Sequence, residues 1–101
     1  KPSATEFVVK ERFEAQTLVE AHPLTGRRHQ LRVHFYSIGH PIAGDPGYGE
    51  KPDPAEFPRL MLHALRLGFS LPSGRPVMIE APPPASFAAV LDRLRQAKKA
   101  A

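Results

Sequence analysis

From Thr5 to Phe13 the apolar Phe7, Val9 and Phe13 fall at alternate positions on one face, among polar residues and with β-branched support. That period predicts a β-strand. Ala15-Gln16 is a turn candidate, and Thr17 to Ala21, carrying Leu18 and Val19, predicts a second strand. The two make an antiparallel hairpin, with Pro23 ending the pairing because it has no N–H to donate. The period then changes. Leu31, Phe35 and Ile38 stand at i, i+4 and i+7, the apolar stripe of a helix over Arg28 to Ile38. Thr25 is the expected N-cap, Gly39 the expected residue past the C-terminus, and Pro41 bars continuation. His29, Arg32 and Tyr36 fall on the adjoining face.

Residues 40–58 hold Pro41, Pro46, Pro52, Pro54 and Pro58 together with Gly44, Gly47 and Gly49. They predict a loop long enough to be functional or packed by its own side chains. Met61 to Leu71 predicts a strand with Leu65, Leu67, Phe69 and Leu71 on one face and His63 in register with them. Pro72-Ser73-Gly74-Arg75 marks a turn, and Pro76 to Ala81 the returning strand. After the Pro82-Pro83-Pro84 spacer, Ser86 is the expected cap of a last helix with Phe87, Val90, Leu91 and Leu94 along one stripe. The order β-β-α-loop-β-β-α defines an α+β chain: a mostly antiparallel sheet with two helices, residues 1–101 forming one domain or subdomain.

Composition narrows the class. The chain has 101 residues, 42% hydrophobic and 24% charged, which disfavours disorder as the main state. No apolar run approaches the ~18 residues of a membrane span. Cysteine is absent, so disulfides and thiolate metal sites are excluded, which fits a reducing, cytoplasmic setting. The net charge is +4, and its distribution matters more than its size. Ala21 to Gly44 contains no Asp or Glu, yet holds Arg27, Arg28, Arg32, His22, His29, His34 and His40. Such a window is either an anion site or a basic helix face neutralised by its neighbours.

Three constellations follow. In Pro23-Leu24-Thr25-Gly26-Arg27-Arg28-His29-Gln30-Leu31-Arg32-Val33-His34, a small turn opens a helix beside three arginines. Free N–H groups, the dipole and guanidinium forks together form a phosphate or carboxylate receptor; an ordinary capped helix with a solvated basic face is the alternative. The five histidines do not predict a metal site, because His29 and His34 are five apart and share no helix face. His63 reads instead as a histidine donating to a backbone carbonyl. In Gly39-His40-Pro41-Ile42-Ala43-Gly44-Asp45-Pro46-Gly47-Tyr48-Gly49, the residue types are turn formers. A catalytic Asp45 needs a partner that the spacing does not show.

Taken together, these segments resemble RNA pseudouridine synthases of the RluA type. The resemblance runs from Pro23 to His34, through Gly39-His40-Pro41-Ile42, Gly44-Asp45-Pro46 and Tyr48-Gly49. It continues to Arg59-Leu60-Met61-Leu62-His63-Ala64, Leu67, Phe69 and Glu80-Ala81-Pro82 with Pro84 and Phe87. It covers roughly Thr5 to Leu94 and implies an isomerase that converts chosen uridines of ribosomal or transfer RNA to pseudouridine. The N-glycosidic bond breaks, the base turns, and it rejoins through carbon, without metal or organic cofactor. The resemblance makes Arg32 the ion-pair partner of the family's nucleophilic aspartate. A guanidinium there keeps such a carboxylate ionised and oriented in a dry pocket. Thr25, Gly26, Arg27, Arg28, His29, Gln30 and Leu31 are the expected RNA-binding residues, with Arg27 and Arg28 on backbone phosphates. The family's nucleophile sits in a His-Arg-Leu-Asp segment. The aspartates here are Asp45, Asp53 and Asp92, none in that setting, and Asp45 matches a different, loop position. With no Met at its start, the chain is expected to be the C-terminal part of a synthase catalytic domain and inactive alone. A non-catalytic RNA-binding module of the same fold is the alternative.

Overall fold

The computed structural model describes residues 2–70 and 72–100. Its elements are β1 (Thr5–Arg12), β2 (Thr17–Pro23), α1 (Gln30–Ser37), β3 (Arg66–Ser70), β4 (Pro76–Glu80) and α2 (Ala85–Ala100). The architecture is α+β, with two helices and antiparallel pairing throughout. The strands form two separate two-stranded sheets, β1–β2 and β3–β4.

In the first hairpin Phe7 opposes Ala21 and Val9 opposes Val19, and a bulge interrupts the register between Val9 and Glu11. The turn closes with the Phe13 N–H donating to Gln16 O at 2.8 Å. β2 runs two residues beyond the expected Ala21, as far as Pro23 opposite Thr5. Proline is tolerated there because a terminal position demands no N–H. The apolar face of this hairpin meets α1, where Phe7 and Phe35 pack edge to face at 5.4 Å.

α1 is shorter than the Arg28–Ile38 expected. It begins at Gln30, and its N-cap is His29 in the left-handed region (φ 51°), not Thr25. The Thr25 hydroxyl is engaged elsewhere, donating to Gln30 Oε1 at 2.6 Å and accepting from the Ala4 N–H at 3.1 Å. The C-terminus is as expected. Gly39 (φ 83°) donates to Tyr36 O, and the His40 N–H reaches Phe35 O, the paired bonds of a Schellman turn. Ile38, placed in the core stripe by spacing, is the C-cap and is exposed.

β3 starts at Arg66 rather than Met61, because residues 61–65 join no strand ladder: the Met61 N–H donates to Ala43 O and the Leu62 N–H to Leu60 O. Leu71, expected at the end of that strand, lies outside the described residues. His63 precedes β3 instead of lying in it, and its Nε2–H donates to Ala81 O at 2.8 Å. α2 begins at Ala85, with Pro84 O accepting from the N–H groups of Phe87 and Ala88. Ser86 therefore lies within the helix, and its hydroxyl oxygen accepts from Arg59 Nη1 instead of capping. The expected stripe on α2 faces inward: Val90 is buried, with Phe87, Leu91 and Leu94 half-buried.

The long loop before β3 is packed by its own groups and contacts both helices, α1 through Asp45 and α2 through Arg59 and Glu56. The Met61 N–H donates to Ala43 O, and Arg59 reaches Leu60 O, Leu62 O and Ser86. Arg93 of α2 donates to Glu56 O at 2.6 Å and covers the Phe57 ring. At Gly44 (φ 77°) a Cβ would run into the Arg59 carbonyl oxygen, which is backbone and cannot move aside. Left-handed strain and this collision add. Gly44→Ala is expected to cost at least about 2 kcal/mol. Urea denaturation checks this, and a change within about 0.5 kcal/mol would remove Gly44 as a constraint on the loop.

Candidate functional site

Gln30 is buried at 6% exposure, and its amide ties three segments together. Oε1 accepts from the Thr25 hydroxyl and from the Arg27 N–H at 3.0 Å. Nε2 donates to Ala4 O at 2.9 Å and to Thr5 Oγ1 at 3.0 Å. All four hydrogen-bonding positions of the amide are thus filled. The turn 25–29 is shaped by this side chain, which displaces the capping arrangement that Thr25 would otherwise make. His34, one turn on, sits between two hydroxyls, with Ser3 Oγ at 2.8 Å from Nε2 and Thr5 Oγ1 at 2.7 Å from Nδ1.

Two residues beyond Gln30, Arg32 meets Asp45 in a bidentate pair. Nε donates to Oδ2 at 2.9 Å and Nη2 to Oδ1 at 2.7 Å. Asp45 is buried and also accepts from the N–H groups of Gly47 (2.8 Å) and Tyr48 (3.1 Å). Its carboxyl is held down at about 2, first by the hydrogen bonds from Arg32, then by those backbone N–H groups, against burial, which raises it. Tyr48 stacks its ring 5.1 Å from the Arg32 guanidinium carbon. The Tyr48 hydroxyl lies 3.3 Å from His29 Nδ1. Arg32 is thereby fixed at one edge by a carboxylate and on one face by an aromatic ring. Its Nη1 makes no hydrogen bond to a described residue, so one face of the fork stays available to an incoming acceptor.

An open cavity of about 260 Å³ lies beside this pair, lined by Pro23, Thr25, Gly26, Arg27, His29, Gln30, Leu31, Arg32 and Leu62. Seven of the eight residues singled out from the sequence line it. Arg28 does not; it is exposed outside the cavity. Spacing gave no hint of Leu62, which enters from the segment before β3, nor of Tyr48 as the platform under Arg32. The partner of Asp45 was likewise missed. The available signal was positional: Asp45 is the first acid beyond the acid-free window that contains Arg32. Among the described residues no three His, Asp or Glu side chains gather into a metal-binding group. None of the described helices is long and apolar enough to cross a membrane.

The arrangement can receive a polar, planar or anionic group: a cationic fork at one wall, a histidine ring at the rim and an apolar floor from Leu31 and Leu62. Known proteins are similar to nearly the whole of this chain. The ribosomal large subunit pseudouridine synthase D of Nitrosomonas europaea is 46% identical over 103 residues, spanning 94% of this chain and 30% of that protein. Synthase C of Pasteurella multocida is 43% identical over 104 residues, 97% of this chain and 32% of its own length. Synthase C of Escherichia coli is 42% identical over 106 residues, 97% and 33% respectively. No protein-family model matches. The chain belongs to the RluA-type pseudouridine synthase family and spans about a third of the length of the curated relatives it matches.

Because the folded carboxyl of Asp45 titrates near 2 and an unperturbed one near 3.8, its ionised form stabilises the fold above about pH 4. That contribution is lost as pH falls through about 2. Asp45→Asn is expected to lower stability at neutral pH by about 2 kcal/mol, through lost charge-assisted bonds. It should also flatten the loss between pH 4 and 2. Denaturation midpoints across pH 2–7 check this; identical acid profiles for the two proteins would contradict it.

Proposed function

We propose that the chain supplies the arginine-bearing wall of the catalytic cleft in an RNA pseudouridine synthase acting on ribosomal RNA. The observation that carries the reading is Arg32, held by Asp45 and Tyr48 at the edge of the cavity with Nη1 unused. The relatives' names, which specify the ribosomal large subunit, favour ribosomal over transfer RNA as substrate.

In this reading the nucleophilic aspartate comes from polypeptide outside these 101 residues and approaches Arg32 from the cavity side. Arg32 then serves two carboxylates, Asp45 through Nε and Nη2 and the nucleophile through Nη1. Burial of Asp45 fixes the fork before the second carboxylate arrives, so little orientation is left to organise during the reaction. The positive charge stabilises the nucleophile's ionised form in a site from which a flipped base excludes water. His29, Gly26 and Thr25 at the rim meet the nucleotide, and Arg27 and Arg28 approach the phosphates on either side. Arg28 lies away from the cavity, which suits a phosphate contact and not a base contact.

The test is a chimaera in which this chain replaces the matching stretch of the Nitrosomonas europaea synthase. The 101-residue chain alone should form no pseudouridine, and the chimaera should. Within it, Arg32→Ala should lower the single-turnover rate by at least about a hundredfold with RNA affinity little changed. Arg32→Lys should recover only part, because an ammonium cannot serve two carboxylates in one plane. Arg28→Ala should instead weaken binding to all RNAs and reduce the salt slope by about one unit. Full chemistry in Arg32→Ala beside loss in Arg28→Ala would reverse these assignments.

A further inference from the structure

The face of α1 that adjoins its apolar stripe carries His29, Arg32 and Tyr36, and all of them meet one side chain of the following loop. Tyr48 lies with its ring 5.1 Å from the Arg32 guanidinium carbon, the Tyr36 ring tilted against it at 6.0 Å and the His29 ring edge-on at 6.0 Å. Its backbone N–H is bound to the buried Asp45 carboxylate at 3.1 Å. Tyr48 is therefore fixed both at its main chain and by the neighbours of its ring. Its hydroxyl reaches one further group, Nδ1 of His29 at 3.3 Å.

His29 is the only residue other than glycine with a positive φ among the described residues. It is exposed and adds nothing to the core. A glycine would take the same backbone without the crowding that a Cβ brings to the left-handed region. The turn by itself thus gives no reason for a side chain here. What the conformation provides is a place: His29 lines the cavity, while Tyr48 stands behind it and does not. Nδ1 faces Tyr48, and Nε2 has no hydrogen-bond partner among the described residues. A phenol donates a hydrogen bond better than it accepts one, and a bare imidazole nitrogen accepts well. The Tyr48 O–H therefore donates to Nδ1, which puts the proton of the neutral ring on Nε2.

We propose that His29 is a nucleotide-binding residue whose Nε2–H donates to an acceptor oxygen of the target uridine nucleotide, and that Tyr48 is the positioning residue that sets this tautomer. The acceptor is a uracil carbonyl or a flanking phosphate oxygen. The proposal rests on the reading of the cavity as the RNA site of a synthase. One loop side chain then serves two working groups, with its ring beneath Arg32 and its hydroxyl behind His29. A donor held in this way loses little rotamer freedom when RNA arrives.

The experiment measures RNA affinity of the chimaera described above, on the ribosomal RNA segment that the Nitrosomonas europaea synthase modifies. The segment is compared with versions carrying 2-thiouridine or 4-thiouridine at the target, or phosphorothioates beside it. Sulfur is a poor acceptor, so one of these should bind the chimaera at least about threefold more weakly, and that version identifies the acceptor. The same substitution should have no effect on His29→Gly. His29→Gly should bind the unmodified segment about fivefold more weakly. The urea midpoint of the 101-residue chain should stay the same or rise in this variant, because the strain leaves with the side chain. Tyr48→Phe keeps the ring under Arg32 and should lose part of the same affinity, with no further loss when combined with His29→Gly. Thio effects that are identical in the chimaera and in His29→Gly would overturn the proposal, as would additive losses in the double variant. A fall of more than about 0.5 M in the His29→Gly midpoint would also overturn it, by making His29 a structural residue. A chimaera that binds with the expected pattern but forms no pseudouridine would leave His29 standing and overturn the catalytic reading instead. One that forms pseudouridine while His29→Gly binds as tightly as its parent would do the reverse, and one that binds no RNA would overturn both.

Discussion

The carboxylate of Asp45 is the constraint on which the site depends. It is buried, ionised and surrounded by four donors: two from Arg32 and two from the backbone at Gly47 and Tyr48. A charge placed there without those donors would cost several kcal/mol. The loop therefore has to present Gly47 and Tyr48 N–H groups inward, and α1 has to aim Arg32 at the loop. The Gly44 backbone, pressed against the Arg59 carbonyl, sets the angle at which Asp45 enters. What reads along the chain as a proline-rich connection is a frame built around one side chain.

Gln30 does for the other side of the cavity what Asp45 does for the first. Its amide spans the turn 25–29 and the N-terminal residues 4 and 5, so the entrance of α1 and the start of β1 move together. The left-handed His29 follows from this arrangement. With Thr25 and Arg27 bound to a side chain inside the helix, the chain must turn sharply to enter it, and a non-glycine residue bears the conformation. Strain of this kind persists only where the surroundings over-determine it, and here it lies on the cavity rim beside Tyr48.

The hairpins and the end of α1 were legible because their signals are local. Alternation marked β1 and β2, and Gly39 before Pro41 marked a Schellman turn. The start of α1 was not legible, because Thr25 looks like a cap until Gln30 competes for it. The start of β3 was missed because residues 61–65 have strand composition but no neighbouring strand to pair with. The cavity was largely legible, since most of its lining is one continuous motif. The pairing of Arg32 with Asp45 was not, because only the folded path of the loop brings the two together across 13 positions.

That separation has a bearing on how the site comes into being. The contacts that seat the arginine join Arg32 to Asp45, His29 to Tyr48 and Ala43 to Met61, all within about twenty positions of one another, while Gln30 reaches back 26 positions to Ala4. Loop closure over such distances costs little chain entropy and is fast. Contacts between distant stretches, such as Arg95 of α2 with Glu11 of β1, close much longer loops. The order of assembly implied is local first: the arginine is seated by its own neighbourhood before the ends of the chain find each other. An arginine seated in this way takes its geometry from the short stretch of chain between it and its carboxylate.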